Sequence, residues 1–185
     1  MRFNTLLNCE AAADAFAYGA VLGYPTEGVW GMGCSAYDRE GVKRVLDAKR
    51  RAPNKGLILL VSEVEQLADF VLDQDDVEKA FASGPDICTW VVKAAPGVDA
   101  LLTGGRDTLA VRCTTHRPMR RVLDQLQQPI VSTSANLSGA APSMRPWLTS
   151  FGQRVDGWMR APLGGLGHPT PIRQSWDGRY LRGGE

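Results

Sequence analysis

Leu57-Ile58-Leu59-Leu60-Val61 is an unbroken apolar run. A strand wetted on one face alternates apolar and polar side chains, so a run without alternation predicts a strand buried on both faces. The flanks support a sheet covered by helices. Ser62-x-x-Glu65 has the form of a capping box and predicts a helix with Val64, Leu67, Ala68 and Val71 inward. Upstream, Asp38 is placed to cap a helix running to about Arg51, with Val42, Val45, Leu46 and Ala48 on one face. Further out, residues 10–18 read as a helix ended by Gly19, and residues 20–24 as a short strand stopped by Pro25. Downstream, residues 88–92, 108–111 and 129–132 read as strands. Thr115 and Pro118 open a helix with Met119, Val122, Leu123 and Leu126 on one face. Asp177-Gly178 between residues 172–176 and 179–181 is a hairpin signal. Helices and strands alternate throughout, so the fold class is α/β.

Composition narrows the rest. The chain has 185 residues, 44% of them hydrophobic and 22% charged, with a formal charge of +1. That is too apolar and too neutral for a disordered chain, and the length fits one domain. No apolar run of about 18 residues exists to span a membrane. Neither an apolar run nor a small-residue cleavage site follows Arg2, so a cytoplasmic location is expected. Cys9, Cys34, Cys88 and Cys113 form no C-x-x-C pair, and His116 and His168 are the only histidines. Reduced, mostly buried cysteines and no metal site are expected. The neutral sum hides a distribution. Residues 63–86 sum to −7, residues 43–55 to +5, and residues 106–185 to +6.

Three segments are polar where a bland loop would serve. Tyr24-Pro25-Thr26-Glu27-Gly28 follows a strand and offers a hydroxyl and a carboxylate where α/β sheets bind ligands. An ordinary glycine-rich turn is the alternative, and neither the dinucleotide fingerprint nor the P-loop pattern is present. Lys49-Arg50-Arg51-Ala52-Pro53-Asn54-Lys55-Gly56 gathers four cations at a helix C-terminus. The helix dipole alone accounts for some of them, while a bound triphosphate would account for their density. Ser132-Thr133-Ser134-Ala135-Asn136-Leu137-Ser138-Gly139 presents hydroxyls and an amide after a strand, either to a ligand or to its own backbone. Arg112, at the end of an apolar run, either pairs with a buried acid or grips a substrate carboxylate.

Taken together these segments resemble the YrdC/TsaC family, threonylcarbamoyl-AMP synthases acting in tRNA modification. The family's YPTE(T) motif stands at Tyr24 to Gly28, its K-x-R-(P)-x-x-K/N-P/G-L segment at Lys49 to Leu57, and its (L/A)-x-V-R stretch at Leu109 to Arg112. Its S-T-S-A-N-x-S-G loop is complete at Ser132 to Gly139. Pro169-Thr170-Pro171-Ile172 and Leu181-Arg182-Gly183-Gly184 resemble its late segments. Gly28 departs from the family's usual Thr, Ala52 from its Pro, and Gln174 from a common acid. Ser83-Gly84-Pro85-Asp86-Ile87-Cys88-Thr89 is an altered form of its P-G-P-x-T turn.

The resemblance implies a single YrdC-like catalytic domain over residues 1–185, of the short type without an extra C-terminal domain. It also implies a twisted mixed sheet flanked by helices, with a cationic cleft. The implied reaction joins L-threonine, bicarbonate and ATP into threonylcarbamoyl-adenylate and pyrophosphate. Lys49 and Arg51 would be catalytic. Lys49, Arg51, Lys55, Ser134, Asn136 and Arg182 would bind ATP, and Thr26, Arg112, Ser132 and Thr170 would bind threonine. Mg²⁺ held by the phosphates, contact with tRNA and handover to downstream threonylcarbamoyl-transfer proteins belong to the same expectation. Two alternatives stand beside it: an RNA-binding or ribosome-maturation protein using the basic segments, and a related carbamoyl-adenylate-forming enzyme with another substrate.

Overall fold

The computed structural model describes residues 5–84, 87–149 and 152–183. The order of elements is β1 (Thr5–Leu7), α1 (Cys9–Ala17), β2 (Leu22–Pro25), β3 (Trp30–Gly33), α2 (Arg39–Lys49), β4 (Ile58–Val61), α3 (Gln74–Ser83) and β5 (Thr89–Lys93). It continues with α4 (Ala100–Thr103), β6 (Thr108–Cys113), α5 (Arg117–Leu126), β7 (Ile130–Ser134), β8 (Gly157–Met159), β9 (Ile172–Gln174) and β10 (Tyr180–Arg182). The strands form one mixed sheet in the order β1-β8-β2-β3-β7-β4-β6-β5-β9-β10.

The apolar run Leu57 to Val61 contains β4, parallel to β6 and antiparallel to β7. Its side chains split between two cores. Leu59 packs with Val42, Val45 and Leu46 of α2 and Leu102 of α4. Leu60 packs with Phe16 of α1 and Met119, Val122 and Leu123 of α5 on the other face. Each such buried side chain contributes roughly 1.5–3 kcal/mol. The sheet is thus sandwiched between helices, and no helix is long and apolar enough to cross a membrane among the described residues.

Several elements keep the expected form with small shifts. Asp38 caps α2 by accepting from Gly41 N–H, and Arg50 in the left-handed region (φ 50°) ends it just short of Arg51. Gly19 (φ +81°) turns the chain after α1. Gly178 (φ +68°) turns the hairpin that pairs β9 with β10. Cys34 and Cys88 are buried, Cys9 and Cys113 half-buried, and all four are free.

Two expectations are corrected. Ser62 does not open a capping box. Its backbone N–H goes to the Gln66 side chain at 2.9 Å, and residues Val64–Leu67 make only a single tight 3-10 turn. Ala68 is exposed rather than inward. The reason is a competing backbone pairing. Val71 bridges Ala94, and Leu72 N–H bonds the Lys93 carbonyl, which draws this segment onto the end of β5. The helix begins later, at Gln74, capped by Asp73.

Second, the expected strand 129–132 does not stop at Ser132. β7 continues to Ser134 because β3 pairs with it, Met32 against Thr133 and Gly31 against Ser134. β3 has no alternating pattern because Gly31 and Gly33 carry no side chains. A Cβ at Gly33 would lie 1.6 Å from the Val131 carbonyl oxygen, so the close approach of β7 requires glycine. In the altered turn at 83–89, Pro85 and Asp86 lie outside the described residues, as does Gly184 of the last motif.

Candidate active site

β2 delivers Thr26 and Glu27 to a turn where both are buried, each 3% exposed. Thr26 Oγ1 donates to the Val29 carbonyl at 2.7 Å and closes the turn into β3. Glu27 Oε1 accepts from the Thr114 hydroxyl and from Thr115 N–H, fixing the carboxylate against the end of β6. Its Oε2 lies 3.6 Å from Arg112 Nη2. Burial pushes this carboxyl up, but Arg112 and the Thr114 and Thr115 bonds outweigh it, so Glu27 is held below its ordinary value.

Arg112 sits within β6, one residue short of its end, and is 5% exposed. Of its two readings, the buried acid is present, but the pair is loose. Nη1 donates to Thr170 Oγ1 at 3.0 Å, and Thr170 in turn shares a hydrogen bond with Thr89 at 2.9 Å. Arg112 Nε and Glu27 Oε2 have no hydrogen-bond partner. The buried pair thus leaves one guanidinium donor and one carboxylate oxygen unsatisfied.

The segment 164–168 straps the turn. Gly164 N–H bonds the Thr26 carbonyl and Leu166 N–H the Glu27 carbonyl, at 2.9 and 2.8 Å. Gly28 lies directly under it. A Cβ there would stand 1.9 Å from the His168 carbonyl oxygen, so the departure from Thr at this position permits the strap to seat.

Lys49 is placed differently from expectation. It ends α2 with 1% exposure, and Nζ donates to the Ser134 carbonyl, the Asn136 carbonyl at 2.7 Å and Asn136 Oδ1 at 3.3 Å. Burial, helped by Arg51, pulls its ammonium down to about 8. Asn136 completes the knot by donating Nδ2 to the Leu137 and Ala140 carbonyls. Lys49 and Asn136 are therefore engaged with the backbone at the end of β7 and are not among the residues that line the neighbouring cleft.

That cleft gathers the other expected residues: Thr26, Arg51, Lys55, Arg112, Ser132, Ser134, Thr170 and Arg182 all line it. Arg51 donates to the Gly56 carbonyl at 2.9 Å and so braces its own loop. Arg182 donates to the Thr170 carbonyl at 2.8 Å. Burial lowers the Arg51 guanidinium, with further lowering from Arg106 and Arg182. Arg182 is lowered by burial and by Arg112. These cations are near enough to repel one another, and no Asp or Glu lines the cleft among the described residues. Sequence reading missed Arg106 and His168, which also line it. For Arg106 the available signal was Gly104-Gly105, a glycine turn directly before a strand.

The geometry can be set beside known proteins. Residues 14–182 match the Sua5/YciO/YrdC family, described as telomere recombination. The chain belongs to that family. The threonylcarbamoyl-AMP synthase of Pseudoalteromonas translucida is 38% identical over 179 residues, covering 94% of this chain and 96% of that one. The threonylcarbamoyl-AMP synthase of Halorhodospira halophila is 41% identical over 175 residues, covering 92% of each. The family likeness extends to solved structures. P. abyssi Sua5 complexed with L-threonine superposes with a TM-score of 0.82 at 25% identity, covering 96% of this chain. The chain spans 55% of that protein's length.

Proposed function

We propose that this chain is a threonylcarbamoyl-AMP synthase acting as one catalytic domain. It joins L-threonine, bicarbonate and ATP into L-threonylcarbamoyladenylate with release of pyrophosphate, the first step of N6-threonylcarbamoyladenosine modification of tRNA. The observation that carries the reading is the composition of one cleft. A buried, incompletely used guanidinium with three hydroxyls (Arg112, Thr26, Ser132, Thr170) shares it with Arg51, Lys55 and Arg182, and no carboxylate intervenes among the described residues. The names of the relatives, and the threonine complex of P. abyssi Sua5, support the same substrates.

In this reading Arg112 takes the threonine carboxylate, and the hydroxyls of Thr26, Ser132 and Thr170 orient the rest of the amino acid. The amine adds to CO2 derived from bicarbonate, giving a carbamate and releasing a proton. A carbamate oxygen attacks the α-phosphorus, and pyrophosphate leaves with the electrons of the broken P–O bond. The scheme asks for no protein nucleophile. Positioning and cations at developing negative charge supply the catalysis. Arg51, Lys55, Arg182 and the Ser134 hydroxyl face the nucleotide. Lys49 and Asn136 hold the 134–136 backbone in place. Mg²⁺ accompanying ATP would be held by phosphate oxygens and water, since no carboxylate lines the cleft among the described residues. The product passes to a tRNA-modifying transferase in the cytoplasm.

The test is pyrophosphate release measured with and without threonine and bicarbonate. Wild type releases pyrophosphate only with both present, and Arg112→Ala abolishes the release. Near-normal turnover in that variant would remove Arg112 from the site.

A further inference from the structure

We propose that Arg106 is an ATP-binding residue of this site, completing with Arg51 and Arg182 a three-guanidinium cradle for the polyphosphate. The inference rests on the reading of the cleft as a nucleotide site. Three observations carry it. Arg106 lines the cleft beside the 51–56 loop, and it depresses the Arg51 guanidinium together with Arg182, which puts the three charges in one field. None of the three has a carboxylate within ion-pair distance among the described residues. The ion pairs present use other partners, and the neighbouring Asp107 is occupied by Lys93. Like charges assembled without counter-charge are explained by an anion that neutralises them.

The third observation is that the side chain, though exposed, is held in place. Arg106 follows Gly104 (φ +69°) and Gly105 (φ +76°), a turn that favours glycine. A Cβ on Gly104 would stand 2.6 Å from the Asn54 carbonyl oxygen, so the two loops interlock. Arg106 Nη1 donates to that same carbonyl at 2.9 Å, which leaves Nε and Nη2 for a ligand. Gly56 (φ +60°) lies against this guanidinium, with Arg106 Nη2 2.7 Å from where a Cβ would stand.

The test compares wild type, Arg106→Ala and Arg106→Gln by calorimetry with ATP, with inorganic tripolyphosphate and with adenosine. Gln keeps a donor for the Asn54 carbonyl and removes the charge. Both variants are expected to weaken ATP and tripolyphosphate about tenfold, leave adenosine within about twofold and keep the wild-type melting temperature. In steady state the KM for ATP rises by the same factor while the KM for threonine stays within about twofold. Unchanged tripolyphosphate affinity in Arg106→Ala, or wild-type affinity restored in Arg106→Gln, overturns the proposal. If wild type binds ATP but makes no pyrophosphate from threonine, the synthase reading falls, and the calorimetric comparison still decides Arg106.

Discussion

Glu27 shows how one side chain organises the site from outside it. Its carboxylate is fixed by Thr114 and Thr115 and stands 3.6 Å from Arg112. That orients the guanidinium while leaving Nε free. Removing one member of a buried pair strands the other charge, so Glu27→Ala is expected to lower stability by about 3 kcal/mol in urea titration. The pH dependence has a definite sign. Glu27 is lowered in the folded chain, so its contribution is complete above the unfolded carboxylate value and is lost as pH falls through the folded one. Wild type therefore loses this stability below about pH 4, and Glu27→Gln flattens that part of the profile. Arg112 was legible as a buried cation on an apolar strand. Its partner was not, because nothing local to residue 112 says that the turn after β2 folds against it. Lys49 was legible as a cation of the site. The direction of its side chain, inward to the carbonyls of 134 and 136, depends on β7 lying beside the end of α2.

At the scale of elements, the basic loop and the β7 wall are coupled through that lysine. Lys49→Met keeps the stem's volume but leaves the buried Ser134 and Asn136 carbonyls without their donor. It is expected to cost roughly 2–4 kcal/mol of stability and to lower kcat/KM for ATP. A lysine acting only on phosphate would leave stability unchanged, so the urea midpoint separates the two roles. The strap gives a second case. Gly28→Ala drives a Cβ into the His168 carbonyl and lifts the segment that carries Thr170, so the KM for threonine is expected to rise about tenfold, at roughly 1–3 kcal/mol of stability. β4, α1, α2, α5 and the β9–β10 hairpin were legible because their apolar spacing or turn residues act locally. β3 was not, since Gly31 and Gly33 are chosen for the approach of β7. The capping box at Ser62 failed because pairing of 71–72 with 93–94 outcompetes one helical turn.

Across the whole molecule, the near-zero charge of the chain is a cancellation. The described part of the acidic stretch, residues 63–84, forms a helix and turns, while Arg51, Lys55, Arg106, Arg112 and Arg182, from distant parts of the chain, line one cleft. Sequence sums could show the segregation but not the meeting, which depends on strand order. If this convergence draws nucleotide in, the KM for ATP rises about three- to tenfold between 50 and 300 mM KCl, while the KM for threonine, held by a buried guanidinium, changes less than about twofold. The central claim is the reaction itself. Purified protein is incubated with ATP, bicarbonate and L-threonine, and the products are read by mass spectrometry. Threonylcarbamoyl-adenylate appearing together with pyrophosphate, and absent when either threonine or bicarbonate is omitted, is the expected result. ATP bound by the protein with no threonylcarbamoyl-adenylate formed would contradict it.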